Sequence, residues 1–272
     1  PRAPAVALHP DVPPMLRTAL LWLLMLHCVP LLAEDAQIAR LLADQQVSGT
    51  LVISALRSGQ TYLHDDARAA QRFIADSTFK IPNSLIALQL GVVNGPNAPF
   101  KWDGTRYSIA NWNQDQTLTS AFQRSCVWCY QQLARQIGKT AYRDWLSRIG
   151  YGALHEPFAL TTFWLDGSLA ISALEQVAFL KQVYRRQLPF SAASYDTLRE
   201  VMRSEQSADF TLYAKTGLAG DSQPKIGWYV GYVETADDVW FFATNLNITA
   251  DPQLPLRLQL TREALRAKGI VP

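Results

Sequence analysis

An α+β fold, a central antiparallel sheet flanked by N- and C-terminal helices with an all-helical lobe inserted into it, is predicted by the order in which hydrophobic periods change along the chain. Period-two runs come first, helical periods fill the middle, period-two runs return, and one helix closes the chain. An early hairpin this short is not stable alone, so it must join the late strands. With 49% hydrophobic residues in 272, the chain can bury a sizeable core.

Element by element, a helical stretch at Ile38 to Gln45 is followed by Gly49 to Leu56 and Gln60 to His64. These β-branched and aromatic runs surround Arg57-Ser58-Gly59 and read as a hairpin. From Ser77 to about Tyr195 the pattern turns helical, at residues 84–90, Val127 to Ile137, Ala141 to Arg148 and Ala173 to Tyr184, with Gly and Pro between. Lys225 to Val233 and Val239 to Leu246 then read as strands around Thr235-Ala236-Asp237-Asp238, and Leu256 to Ala267 as the last helix. The expected organisation is a flank and leader at 1–33 and one domain at 34–272. Its sheet lobe takes about 34–76 and 210–272, its helical lobe about 77–209. The cleft falls between the two.

Charge and composition exclude several classes of function. Lys plus Arg number 25 against 23 acidic residues, a net charge of +2, so a nucleic-acid partner is not expected. Three Cys and four His without H-E-x-x-H or repeated C-x-x-C give no metal site, and His64 and His155 lack partners at ligand spacing. Met15 to Ala33 reads as a secretory signal, with Arg17 in the n-region and an apolar run from Ala19 to Leu32, preceded by a Pro-rich flank. His27 before Cys28 argues against a lipid anchor. Cleavage after Ala33 implies a periplasmic protein without a stable membrane anchor.

The chemistry resides in three short motifs. Ser77-Thr78-Phe79-Lys80 is S-x-x-K at a helix start, where positions i and i+3 share a face. A serine needs a base to become a nucleophile, and a lysine serves only when burial removes its charge. Ser125-Cys126-Val127 follows in the middle of the chain, and Lys215-Thr216-Gly217 precedes the aromatic strand that begins near Lys225. On an edge strand, K-T-G offers a cation, a hydroxyl and open backbone, and Gly217 leaves room for an amide substrate lying alongside.

These motifs in this order match the penicillin-interacting serine enzymes. With Phe163-Trp164-Leu165-Asp166-Gly167 and Pro224-Lys225-Ile226-Gly227-Trp228, the chain from 34 to 272 resembles the class D, oxacillinase-type serine β-lactamases. The resemblance implies a β-lactamase/transpeptidase-like fold and a small-molecule β-lactam substrate. No bound cofactor is implied, although carbon dioxide or bicarbonate would carboxylate Lys80. It further implies that Ser77 is acylated, that carboxylated Lys80 acts as general base, and that the indole of Trp164 steadies the carbamate. The Ser77 and Leu218 amides would hold the oxyanion. Ser125 would protonate the lactam nitrogen with Lys215 assisting by its field. Arg257, with Thr216 beside it, would bind the substrate carboxylate, against the alternative of an ordinary helix arginine like Arg262 and Arg266. Trp112, Val127 and Leu165 would line the cleft, against a plain core role.

Some residues depart from the pattern or carry no role. The family's aromatic-Gly-Asn motif reads here Tyr151-Gly152-Ala153, so Ala153 is left out of the site and Tyr151 is expected to be structural. Glu156 is a loop charge. Cys126 and Cys129 are expected to be reduced, buried thiols rather than a bridge. Two other functions compete with hydrolysis: a β-lactam sensor domain that is acylated without turnover, and a peptidoglycan transpeptidase or carboxypeptidase. The absence of S-x-N counts against the latter. Substrate range, which depends on loops near Trp112, Leu218 and Asp221, and oligomeric state are not legible.

Overall fold

A six-stranded antiparallel sheet organises the chain, in the order β2-β1-β11-β10-β9-β8. The computed structural model describes residues 34–220 and 223–272, so the leader, Cys28 and Asp221 lie outside the described residues. Strand β1 (Gly49–Ala55) pairs with β2 (Thr61–His64) on one side and with β11 (Val239–Ile248) on the other, which joins the early hairpin to the late strands as expected. Next come β10 (Lys225–Thr235), β9 (Phe210–Ala219) and the short edge strand β8 (Arg203–Gln206). No sequence reading anticipated β8. Arg-Ser-Glu-Gln has no apolar alternation, and its pairing with Thr211 to Tyr213 of β9 supplies what local pattern does not.

Both faces of the sheet are covered, which explains the nearly unbroken apolar runs of its central strands. Phe242, Leu246, Tyr229 and Leu51 pack against Ile38 and Leu42 of α1 (Ala36–Asp44) and Leu260 and Ala264 of α9 (Leu256–Ala267). Their neighbours in the strands, Phe241, Ala243, Trp228, Val230 and Val52, point the other way into the larger core. Period two therefore divides the residues between two cores. Asp35 caps α1 through the amides of Gln37 and Ile38 and also accepts from Lys268 Nζ at 2.8 Å, tying the two terminal helices together.

The inserted lobe runs through α2 (Asp66–Ala70), α3 (Lys80–Gln89), α4 (Leu118–Gln123), α5 (Val127–Ile137), α6 (Lys139–Ile149), α7 (Ala173–Tyr184) and α8 (Ala192–Met202). Helix α7 begins with a Ser172/Glu175 capping box, and its Val177, Phe179 and Leu180 belong to the larger core. Short ladders are woven among the helices: β3 (Phe73–Ile74), β7 (Leu169–Ile171) and β6 (Ala153–Leu154) form one, β4 (Pro99–Phe100) and β5 (Gln116–Thr117) another. Among the described residues no helix is long and apolar enough to cross a membrane.

Candidate active site

Ser77 lies in a 3-10 turn, Asp76–Phe79, that runs straight into α3. Pro82 sits in the first turn of that helix, where a missing N–H costs nothing. One turn separates Ser77 from Lys80, and Lys80 Nζ donates to Ser77 Oγ at 3.1 Å. Lys80 has no exposed surface. Its ammonium lies 4.9 Å from the centre of the Tyr130 ring, in a lobe whose aromatic cluster includes Phe79, Phe163 and Trp164, with ring centroids 5.0–5.6 Å apart. Burial pushes the amine down to about 8, and the charge of Asp76 opposes that shift. At pH 7 roughly a tenth of such an amine is neutral.

Trp164 contributes to the same region in two ways. Its carbonyl accepts from the Asp76 amide at 2.8 Å, holding the serine turn. Its indole N–H is buried and has no hydrogen-bond partner. A buried donor left open in this way costs roughly 1–3 kcal/mol, and an acceptor placed there recovers it.

The opposite wall belongs to β9. Lys215 is 3% exposed, and its ammonium donates to Ser125 Oγ, to the Thr216 carbonyl at 2.9 Å and to Thr216 Oγ1 at 3.4 Å. Burial, the neighbouring Lys80 cation and Arg257 hold it well below the lysine range. Ser125 reaches this contact from the turn between α4 and α5, with φ at +54°. Because β8 pairs no further than Tyr213, the outer edge of β9 from Lys215 onward carries no strand partner among the described residues. Arg257, in the first turn of α9, donates to the Gly217 carbonyl at 2.7 Å and keeps a buried Nε without a partner. Arg262 pairs with Glu205 and Arg266 bonds the Pro272 carbonyl, so among these three helix arginines Arg257 alone lines the cleft.

Between floor and wall lies a cavity of about 590 Å³. Ser77, Ser125, Thr216, Gly217, Leu218 and Arg257 line it, and Trp112, Val127 and Leu165 supply apolar surface. The backbone amides of Ser77 and Leu218 converge on one point, occupied by Oδ1 of Asp76, which accepts from both, from Leu218 at 3.2 Å. The site is a serine beside a buried amine, facing a hydroxyl–lysine pair and a cation.

Comparison with known proteins follows the same lines. A family model described as the penicillin binding protein transpeptidase domain matches residues 41–263. The chain is 41% identical over 229 residues to β-lactamase OXA-48 of Klebsiella pneumoniae, covering 84% of this chain and 86% of that one. It is 35% identical over 230 residues to OXA-10 of Pseudomonas aeruginosa, with the same coverage. The crystal structure of the class D β-lactamase YbXI from Nostoc is similar with a TM-score of 0.85 and 37% identity, over 87% of this chain and all of that one. That of FUS-1 (OXA-85) from Fusobacterium nucleatum gives 0.86 and 32%, over 88% and 100%. The chain belongs to the class D β-lactamases.

Within this class D chain, nine of the twelve residues predicted for the site line one cleft, and the other three, Lys80, Trp164 and Lys215, are buried. Gly217 has a further reason to lack a side chain: a Cβ there would lie 3.2 Å from Trp228 and 3.3 Å from Thr78. Tyr151 is buried, near Thr78 Oγ1 through its hydroxyl at 3.3 Å and edge-on to Phe179, while Ala153 pairs with Ala170 in the small sheet. Glu156 is a surface partner of Arg143. One expectation is overturned. Cys126 and Cys129 are joined in a disulfide, with Cα atoms 5.5 Å apart. Cys126 is the cap of α5 and Cys129 lies one turn inside it, so the two sulfurs fall on the same side of the helix start. Sequence reasoning also missed four lining residues, Asp76, Ser108, Ile109 and Gly220. For Asp76 the signal was present: a charge next to the nucleophile, in a turn that must be buried.

Proposed function

We propose that this protein opens the ring of penicillin- and cephalosporin-type β-lactams and releases the product by hydrolysis of an acyl-serine intermediate, which would make its host resistant to such drugs. The observation that carries this reading is the contact of a fully buried lysine amine with Ser77 Oγ at 3.1 Å. Ser77 Oγ attacks the lactam carbonyl, the Oγ–C bond forms and the C–N bond breaks. The hydroxyl proton leaves toward the Lys80 side, the ring nitrogen receives one from Ser125, which Lys215 holds in place, and the proton taken up on the Lys80 side returns to Ser125, so that one proton moves net from Ser77 to the nitrogen. Water then cleaves the ester and restores the serine. Developing negative charge on the carbonyl oxygen would be met by the Ser77 and Leu218 amides. Thr216 and Arg257 would receive the substrate carboxylate, and Trp112, Val127 and Leu165 its apolar substituents.

Lys80 suits carboxylation by carbon dioxide, which needs a neutral amine, and the unpartnered Trp164 indole N–H suits the resulting carbamate. Such a group supplies an anionic general base where an ammonium has none. No other cofactor enters the reading. Residues 34–272 act as the single catalytic domain, and the leader at Met15 to Ala33 directs it to the periplasm.

Turnover distinguishes this reading from its rivals, because hydrolase, sensor and transpeptidase would all be labelled by penicillin. Stopped-flow and steady-state assays with nitrocefin should show many molecules opened per chain. A burst of one equivalent followed by no further hydrolysis would assign the site to sensing instead.

A further inference from the structure

The two amides that converge beside Ser77 already hold an anion from the same chain. Asp76 Oδ1 accepts from the Ser77 amide and from the Leu218 amide at 3.2 Å, two donors from different parts of the fold meeting on one oxygen. Asp76 is 5% exposed and lines the cavity that contains Ser77. Its backbone φ of +45° turns the side chain back over the following residue. That left-handed conformation is one that Asp tolerates better than most side chains. A substrate carbonyl attacked by Ser77 Oγ needs this same pair of donors, since the oxygen that becomes negative sits within reach of the nucleophile's own N–H.

We propose that the Asp76 carboxylate is a tethered occupant of the oxyanion site, which must swing out before Ser77 can be acylated, so that Asp76 limits the acylation rate of this enzyme. The inference rests on the reading of Ser77 as nucleophile. Its cost follows from population. If the side chain is out for only a hundredth to a tenth of the time, kcat/KM falls about 10–100-fold, because only the open fraction is competent. Two electrostatic effects act in the same direction. The charge of Asp76 opposes the lowering of Lys80, Lys215 and Arg257 by burial, so it favours the protonated form of the Lys80 amine and competes with any substrate carboxylate for Arg257.

The test compares acylation rate constants of the full chain and of Asp76→Gly, Asp76→Ala and Asp76→Asn, measured by single-turnover mixing with nitrocefin and by the mass of the Ser77 adduct with benzylpenicillin. Glycine empties the site and suits the positive φ, alanine empties it with a modest backbone penalty, and asparagine keeps a neutral acceptor. Acylation about tenfold or more faster in both Gly and Ala variants, with Asn between them and wild type, is the expected result. A phenylboronic acid, which adds to the serine oxygen, should bind tighter in the same order. Rates equal to or below wild type in the Gly and Ala variants, both melting within a few degrees of it, would overturn the proposal. A gain in the Gly variant alone would also overturn it, by assigning the effect to backbone freedom. If benzylpenicillin adds to Ser77 in none of the four proteins, the nucleophile assignment fails, and this proposal with it.

Discussion

Two buried lysines face each other across the cleft, and their surroundings differ in one respect. Lys80 lies on the floor with Ser77 Oγ as its hydrogen-bond acceptor and the Tyr130 ring beneath. Lys215 lies in the wall with Ser125 Oγ, the Thr216 carbonyl and Thr216 Oγ1 around it. Burial lowers both. On the floor, an amine with a single hydroxyl acceptor is free to react once it is neutral. In the wall, three oxygens fix where Nζ points, so the same residue type becomes a positioned donor.

The largest effect should come from removing the floor lysine. Lys80→Ala should lower turnover on the order of 10³-fold, the range expected when a general base is lost. The acyl-enzyme that does form should persist and be visible as a stable mass adduct. Lys215→Ala should instead slow acylation without trapping the adduct. Equal persistence of the adduct in both variants would erase the distinction between the two lysines.

Trp164→Phe should come next, with about 10–100-fold lower activity that added bicarbonate partly restores, since its indole N–H is a buried donor without a partner. The pH dependence has a definite sign. Carboxylation needs the neutral amine, and with Lys80 at about 8 that form falls about tenfold for each pH unit below it. Enzyme degassed in acid should therefore recover more slowly at pH 6 than at pH 8, and bicarbonate should narrow the gap. Recovery that is independent of pH and of bicarbonate would remove carboxylation from the mechanism while leaving Ser77 in place.

In the wall, Arg257→Ala should raise KM about 10–100-fold for substrates that carry a carboxylate, the value of a charge-assisted hydrogen bond of about 1.5–3 kcal/mol. Its effect on kcat should be smaller. A substrate analogue with that carboxylate esterified should show little difference between variant and wild type. If the ester suffers as much as the acid, the arginine acts through its bond to the Gly217 carbonyl, shaping β9 rather than binding charge.

What could be read in advance depended on whether the controlling distance was short along the chain. Ser77 and Lys80 are one helical turn apart, so their contact was legible from spacing, and the hairpin was legible from Gly59 between two β-branched runs. Lys215-Thr216-Gly217 needed only order along the chain. Asp76 was visible as a residue, but its carboxylate reaches the Leu218 amide across the cleft through a left-handed backbone that no propensity announces. Strand β8 is polar throughout and exists through its partner. The arginines of α9 were equivalent in sequence, and Arg257 was singled out only by the resemblance. Their neighbours Glu205 and Gly217, distant along the chain, separate them in the structure.

The smallest expected effect concerns the disulfide, which lies behind the wall and not the floor. Cys126 follows Ser125 directly, and both sulfurs belong to residues with no exposed surface. Closing so short a loop restricts the unfolded chain little, about 2 kcal/mol in the loop-entropy picture. Cys126→Ser with Cys129→Ser should therefore lower the melting temperature by several degrees and leave the acyl-enzyme hydrolysis rate within about twofold, because Lys80 is held by α3 and its aromatic neighbours. Acylation should suffer more than hydrolysis of the adduct, since Ser125 at φ +54° depends on that turn to meet Lys215. Thiol titration of the denatured, unreduced chain should find neither sulfur reactive. If the double variant instead slowed hydrolysis of the adduct more than its formation, floor and wall would be one coupled unit, and the contrast between the two lysines would lose its structural basis.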